Sequence, residues 1–128
     1  MSTETNKPWA IGVTLIGATG TGIGTGQSNT TTIVIWLNSH SETDCVAQLC
    51  DALVYGGYSD WFLSSQDELN LMYANLENFG VGVFADDPYW SSSEYSAGIA
   101  WDHSFRYGSQ DYCYSKSSHL RVRAVRAF

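Results

Sequence analysis

At 128 residues, 44% hydrophobic and 15% charged, the chain has the composition of one globular domain able to bury a core without metals or cross-links, and not that of a disordered segment. Thirteen acidic against six basic residues give a net charge of −7, and Lys7 is the only base before Arg106. The basic footprint that phosphate binding needs is missing, so no nucleic-acid partner is expected.

No apolar run is long enough to span a bilayer, so no membrane insertion is expected, and the polar stretch Met1 to Pro8 is no signal peptide. Residues 1–10 read as a flexible N-terminal segment of a single domain covering 1–128. Ile11 to Thr32 carries Gly12, Gly17, Gly20, Gly22, Gly24 and Gly26 among threonines, which suits loops and short extended pieces. No Lys completes a phosphate loop there. Thr31 to Leu37 is β-branched and apolar, which fits a buried strand or the lead into the helix that follows.

From about Thr43 to Tyr55, Val46, Leu49, Cys50, Leu53 and Val54 fall on one helical face, with Ser41 or Thr43 as cap and Gly56-Gly57 as stop. Tyr58 to Leu63 reads as a short strand. Ser65-Gln66-Asp67-Glu68 is a capping box that opens a second helix through Leu69, Met72, Tyr73 and Leu76. After Gly80, short alternating segments separated by Gly, Ser and Asp predict antiparallel strands and long loops. Helices first and sheet afterwards imply an α+β fold.

Three cysteines, Cys45, Cys50 and Cys113, form neither a disulfide framework nor a zinc-type pattern, and Cys50 suits a buried small hydrophobe. The closing arginines Arg121, Arg123 and Arg126 are placed to pair with carboxylates from the first two thirds. His40, His103 and His119 lack the spacing of a catalytic triad or a metal site, so no enzyme, metal or cofactor is expected. Asp86, Asp87 and Glu94 lack a calcium-lectin signature. The run from Asp102 to His119 has no apolar period, yet it is rich in Tyr, Ser and Asp, the composition of adaptable contact surfaces.

Gly57 to Leu69, then Tyr89-Trp90-Ser91-Ser92-Ser93-Glu94, then Ala100-Trp101 and the closing Arg121 to Phe128 resemble the lectin-like domain at the C-terminus of bacterial collagen-like adhesins. More narrowly, they resemble the variable proteins that retroelements diversify in bacteria and their phages. The likeness runs from about Gly24 to Phe128, with Ser64-Ser65-Gln66 where members carry Pro then Ser-Lys, and with a short N-terminal part that leaves one strand of longer members unaccounted for. It implies a C-type-lectin-like fold, with two helices flanking a small twisted antiparallel sheet and a loop-rich display face over 96–120.

The resemblance also implies an origin for that face. Adenine replacement turns AAC-type codons into NNC codons, which cannot encode Lys, Gln, Glu, Trp or Met. Between Ser96 and Leu120 only Trp101, Gln110 and Lys116 belong to that forbidden set. They are expected to be fixed, with Phe105 and Gly108 fixed by family position. Asp102, Ser104, Arg106, Tyr107, Ser109, Asp111, Tyr112, Cys113, Tyr114, Ser115, Ser117, Ser118, His119 and Leu120 are the expected variable, ligand-binding residues, with Ala97, Gly98 and Ile99 as a second tier.

The expected role is a receptor-binding or adhesive module on a phage virion or bacterial cell surface, whose partner is a protein or glycan ligand on a cell. The alternatives are a fixed-specificity carbohydrate or glycosaminoglycan adhesin, which would need a basic cluster, and a formylglycine-generating type of enzyme, for which no matching cysteine pair exists.

Overall fold

The computed structural model describes residues 5–77, 87–105, 108–112 and 114–126. Among them are β1 (Thr5–Lys7), α1 (Gly26–Ser39), α2 (Val46–Ala52), β2 (Phe62–Leu63), α3 (Gln66–Met72) running into a π-helical turn (Tyr73–Glu77), β3 (Pro88–Glu94), β4 (Ala100–Ser104), β5 (Ser109–Asp111), β6 (Leu120–Val122) and β7 (Ala124–Val125). The fold is α+β.

The main sheet has the order β1-β6-β3-β4-β5, and β2 pairs with β7 in a second, two-stranded sheet. The expectation of a purely antiparallel sheet is corrected by β3 and β6, which pair in parallel through Tyr89 and Arg121. The short N-terminal part does supply an edge strand, since β1 runs antiparallel to β6 with Thr5 opposite Val122.

The β-branched run from Thr31 to Leu37 is helical, within α1. Its strand propensity is overridden because Gly26, Asn29, Thr30, Ile33 and Leu37, spaced three and four apart, are all buried along one helical face. The threonines suit this helix because their hydroxyls bond back along it. Thr30 Oγ1 donates to Gly26 O at 2.8 Å and accepts from Leu63 N at 3.0 Å, which ties α1 to β2. The helix expected over Thr43 to Tyr55 is shorter than its apolar pattern, spanning Val46–Ala52, with Cys45 rather than Ser41 or Thr43 at its N-cap. Cys50 is buried, and that burial pushes its thiol pKa up to about 12.

The capping box at α3 forms as the sequence predicts. Glu68 Oε1 accepts from Ser65 N at 2.7 Å, and Ser65 Oγ accepts from Glu68 N at 3.4 Å.

Adjacent residues of β3 feed two cores on opposite faces of the sheet, as strand alternation requires. Trp90 packs with Trp9, Ile33, Leu37, Val46 and Leu63 beside α1 and α2, and Tyr89 packs with Leu69 and Phe105 against α3. Of the three closing arginines, Arg121 meets Asp87 at 2.8 Å and Arg126 meets Asp60 at 2.6 Å. No helix among the described residues is long and apolar enough to cross a membrane.

Gly26 begins α1 where that helix meets the start of α3. A Cβ there would lie 2.1 Å from Glu68 Oε1, 2.9 Å from Ser65 N and 3.0 Å from Leu63 O. Alanine is the better helix former by about 1 kcal/mol, but it would have to displace backbone as well as the capping carboxylate. Gly26→Ala is therefore expected to lower the unfolding free energy by about 2 kcal/mol, measured by urea denaturation. An unchanged or raised stability would show that the two helix starts are not locked together.

Candidate functional site

The turn from Ser115 to Ser118 is organised around one inward-pointing residue. Ser118 N donates to Ser115 O at 2.9 Å, closing a turn whose second residue is Lys116. Lys116 is buried, and its ammonium donates to Glu94 Oε2 at 2.5 Å and to Thr14 O at 3.0 Å while lying 4.6 Å from the centre of the Trp9 ring. Its backbone is held as well. Lys116 N donates to Gly98 O at 2.9 Å, and Lys116 O accepts from Trp9 N at 2.8 Å and Ala10 N at 3.1 Å.

Burial lowers the pKa of Lys116, and the hydrogen bond to Glu94 opposes that shift. Glu94 is itself buried at the end of β3. Beyond Lys116 it accepts from Ile16 N at 2.7 Å and Gly17 N at 2.8 Å. Both members of the pair are thus hydrogen-bonded to backbone as well as to each other, the condition under which a buried pair is tolerated.

The other residues expected to be fixed are tied to the frame too. Phe105 is buried against Tyr89 and Tyr73. Gly108 has φ +73°, and a Cβ there would come within 2.7 Å of Tyr73 Oη, so a side chain is excluded both by conformation and by space. Gln110 Nε2 donates to Gln66 O at 3.3 Å at the start of α3. Trp101 accepts from Ser91 Oγ at 2.7 Å through its carbonyl and packs edge-on to Tyr95 and Tyr112.

The expected ligand-binding residues divide into three groups. Tyr112, Tyr114, Ser115, Ser117 and His119 are exposed, and Ser109, Asp111 and Ser118, with Ala97, Gly98 and Ile99, are half-buried. Asp102, Ser104 and Leu120 are buried, which corrects their placement on an open face. Asp102 and Ser104 lie on β4, a central strand with neighbours on both sides, and Leu120 starts β6 and joins the larger core. Arg106, Tyr107 and Cys113 lie outside the described residues, as does Asp86.

The histidines do not converge on one another. His40 stacks on Trp36 with ring centroids 3.8 Å apart, and His119 is exposed. His103 is buried beside Tyr73 and Phe105, with Nε2 3.0 Å from Asn70 Oδ1, and burial lowers its pKa. Among the described residues no group of three His, Cys, Asp or Glu side chains could hold a metal ion. Asp87 and Glu94, weighed above as calcium ligands, each pair with a cationic side chain.

The sequence reasoning missed Glu94 and Tyr95. Glu94 stands out in the sequence only as the last residue of the Tyr89 to Glu94 motif and as one of three acids without a calcium signature, and nothing local marks it as the partner of a lysine 22 residues away. Tyr95 lies one residue before the 96–120 face that the resemblance implies. Its ring stacks on Tyr112 with centroids 4.5 Å apart and planes 13° from parallel.

Asp102 is the exception to good pairing. Its carboxyl is buried, neither oxygen has a hydrogen-bond partner among the described residues, and Asp111 lies directly opposite on β5. Burial first, and the like charge of Asp111 second, push its pKa up to about 7. A carboxyl raised in the folded state contributes its full stability below the unfolded value, near 4, and loses it as pH rises through about 7. Between pH 4 and pH 8 the wild type should therefore lose on the order of 2–4 kcal/mol more unfolding free energy than Asp102→Asn. Parallel stability profiles for the two proteins, measured by denaturant titration across that range, would contradict this.

No protein-family model matches the chain, and no curated protein matches it.

Proposed function

We propose that the protein is a ligand-binding module that presents an exchangeable surface on a C-type-lectin-like frame, of the kind that retroelements diversify, and that it acts in receptor binding or adhesion at the surface of a phage or bacterium. The observation that carries this reading is a contrast within the 101–119 stretch, from which Asp102 and Ser104, buried on β4, stand apart. Trp101, Gln110 and Lys116, the residues that adenine-directed replacement cannot produce, are each bonded into the frame. Tyr112, Tyr114, Ser115, Ser117 and His119, which it can produce, are exposed.

A turn built this way tolerates replacement because its conformation is set by the bonds at Lys116, while the exposed side chains contribute little to the core. Tyrosines in such positions supply broad, stiff contact area, and the serines supply hydrogen bonds that adapt to the partner.

The genomic locus tests the proposal. Sequencing should find a near-copy of the codons for residues 96–120 beside a reverse-transcriptase gene. The copy should differ only at adenines, carry AAC-type codons at 112, 114, 115, 117 and 119, and match the gene at Trp101, Gln110 and Lys116. A locus with neither the repeat nor the reverse transcriptase would remove the retroelement reading.

A further inference from the structure

β4 and β5 bring two acidic side chains face to face. Asp102 lies opposite Asp111 across the antiparallel pair, so both project from the same side of the sheet. Like charges directly opposite each other weaken a strand pair, and a carboxylate taken out of water with nothing to bond is costly. Asp102 combines both conditions, being 1% exposed with neither oxygen bonded among the described residues. Asp111 is half-buried and accepts from Ser109 Oγ at 3.1 Å. The protonated form of Asp102 suits this position, and the ionised form needs either water or distance from Asp111.

β5 is the element able to give way. It is three residues long, it lies at the edge of the sheet, and among the described residues β4 is its only neighbouring strand. β4 is paired with β3 as well. Drawing β5 away opens the flank of Asp102 to water and removes Asp111 in one movement, at the loss of the pairs at 102, 103 and 104 and with the core left in place. The chain is held on both sides of the strand. Gly108 N donates to Ser104 O at 2.7 Å before it, and after the exposed Tyr112 and Tyr114 comes the turn fixed by Lys116 and Glu94. Tyr112, stacked on Tyr95 when β5 is closed, moves with the strand.

The other charged groups around β4 act differently. On the Asp102 side, β3 sets the uncharged Trp90 opposite it, and the one charge on β3, Glu94, lies opposite Ala100 and is paired with Lys116. His103 and Gln110 project from the other side of the sheet, toward α3, where His103 meets Asn70 and Gln110 meets Asp67. Glu68, also on α3, is engaged in the capping box. Burial lowers the pKa of His103, so its titration would disturb the strands as pH falls. Burial and then Asp111 raise that of Asp102 to about 7, which gives the opposite sign: the closed strand is fully favoured below the hydrated value, near 4, and that preference is lost as pH rises through about 7.

We propose that Asp102 and Asp111 form a proton-operated latch, in which a protonated Asp102 keeps the edge strand β5 closed on β4 and loss of that proton to solvent releases β5 together with Tyr112. The consequence for ligand binding, a contact surface that is ordered in acid and loosened as pH rises, rests on the variable-surface reading above; the latch itself does not.

Amide hydrogen exchange followed by NMR on the full chain from pH 5 to pH 8, corrected for the intrinsic rate, tests the latch. Exchange at Gly108 N should speed up about tenfold or more over that range. It should do so without dependence on urea added below the unfolding transition, as an opening that exposes little surface requires. Asp102→Asn should abolish the pH dependence. Asp111→Asn should reduce it without abolishing it, and that variant carries the test should Asp102→Asn fail to fold. Exchange that is flat with pH, that quickens toward pH 5 instead, or that keeps the wild-type profile in both variants overturns the proposal. Exchange that rises steeply with urea does so too, because β5 would then open only when the whole chain unfolds. A locus lacking the repeat would remove the variable-surface reading and leave the latch standing, so the two failures are distinguishable.

Discussion

The buried contact between Glu94 and Lys116 is the constraint on which the turn from Ser115 to Ser118 depends. It joins the end of β3 to the middle of an irregular turn, and through Ile16, Gly17 and Thr14 it also holds the long segment that precedes α1. Two charges removed from water are costly unless each finds several partners, and removing one member leaves the other stranded. That asymmetry makes the pair a strong specifier of conformation. Only an arrangement that brings both residues together, with the backbone amides of 16 and 17 alongside, avoids the cost of a lone buried ion. The turn from Ser115 to Ser118 inherits a fixed position without spending any of its outward side chains on stability.

The same device recurs along residues 11–24, which have no strand or helix of their own. Glu42 accepts from Ile11 N at 2.8 Å and Glu68 from Gly24 N at 2.9 Å, while Glu94 takes the amides between them. Three carboxylates, one from the loop between α1 and α2, one from α3 and one from β3, thus stand in for the ladder that this segment lacks. The serines of β3 complete the arrangement. Ser91, Ser92 and Ser93 are all buried. Ser93 Oγ donates to Gly20 O at 2.7 Å, Ser92 N donates to Ser64 O at 2.8 Å, and Ser91 Oγ donates to Trp101 O at 2.7 Å. Small hydroxyls fit where three segments crowd together, and they satisfy carbonyls that burial would otherwise leave unpaired.

What the sequence made legible was local. The capping box at Ser65 and Glu68 and the face of α2 carry signals within a few residues, whereas Trp101, Phe105, Gly108, Gln110 and Lys116 are expected to be fixed only through what the family resemblance implies. The misread elements were decided at a distance. Thr31 to Leu37 has strand propensity, but the burial of Ile33 and Leu37 against the other helix and the sheet selects helix. The outward positions 112, 114, 115, 117 and 119 could be separated from 102, 104 and 120 only by knowing that β4 is central and that β6 is flanked by β1 and β3. Composition marks a contact-rich segment without saying which of its residues the sheet consumes. Glu94 and Tyr95 show the same limit, because each acquires its role from a partner brought close only by folding.

A double-mutant cycle on Glu94→Gln and Lys116→Met, read by denaturant unfolding, tests most directly whether this pair fixes the turn. Each single variant should lose about 3–5 kcal/mol, and the double variant should lose at least about 2 kcal/mol less than the sum, because neither charge is then left alone. Losses that add to within about 0.5 kcal/mol would show that the two residues act independently and that the turn is held by other means.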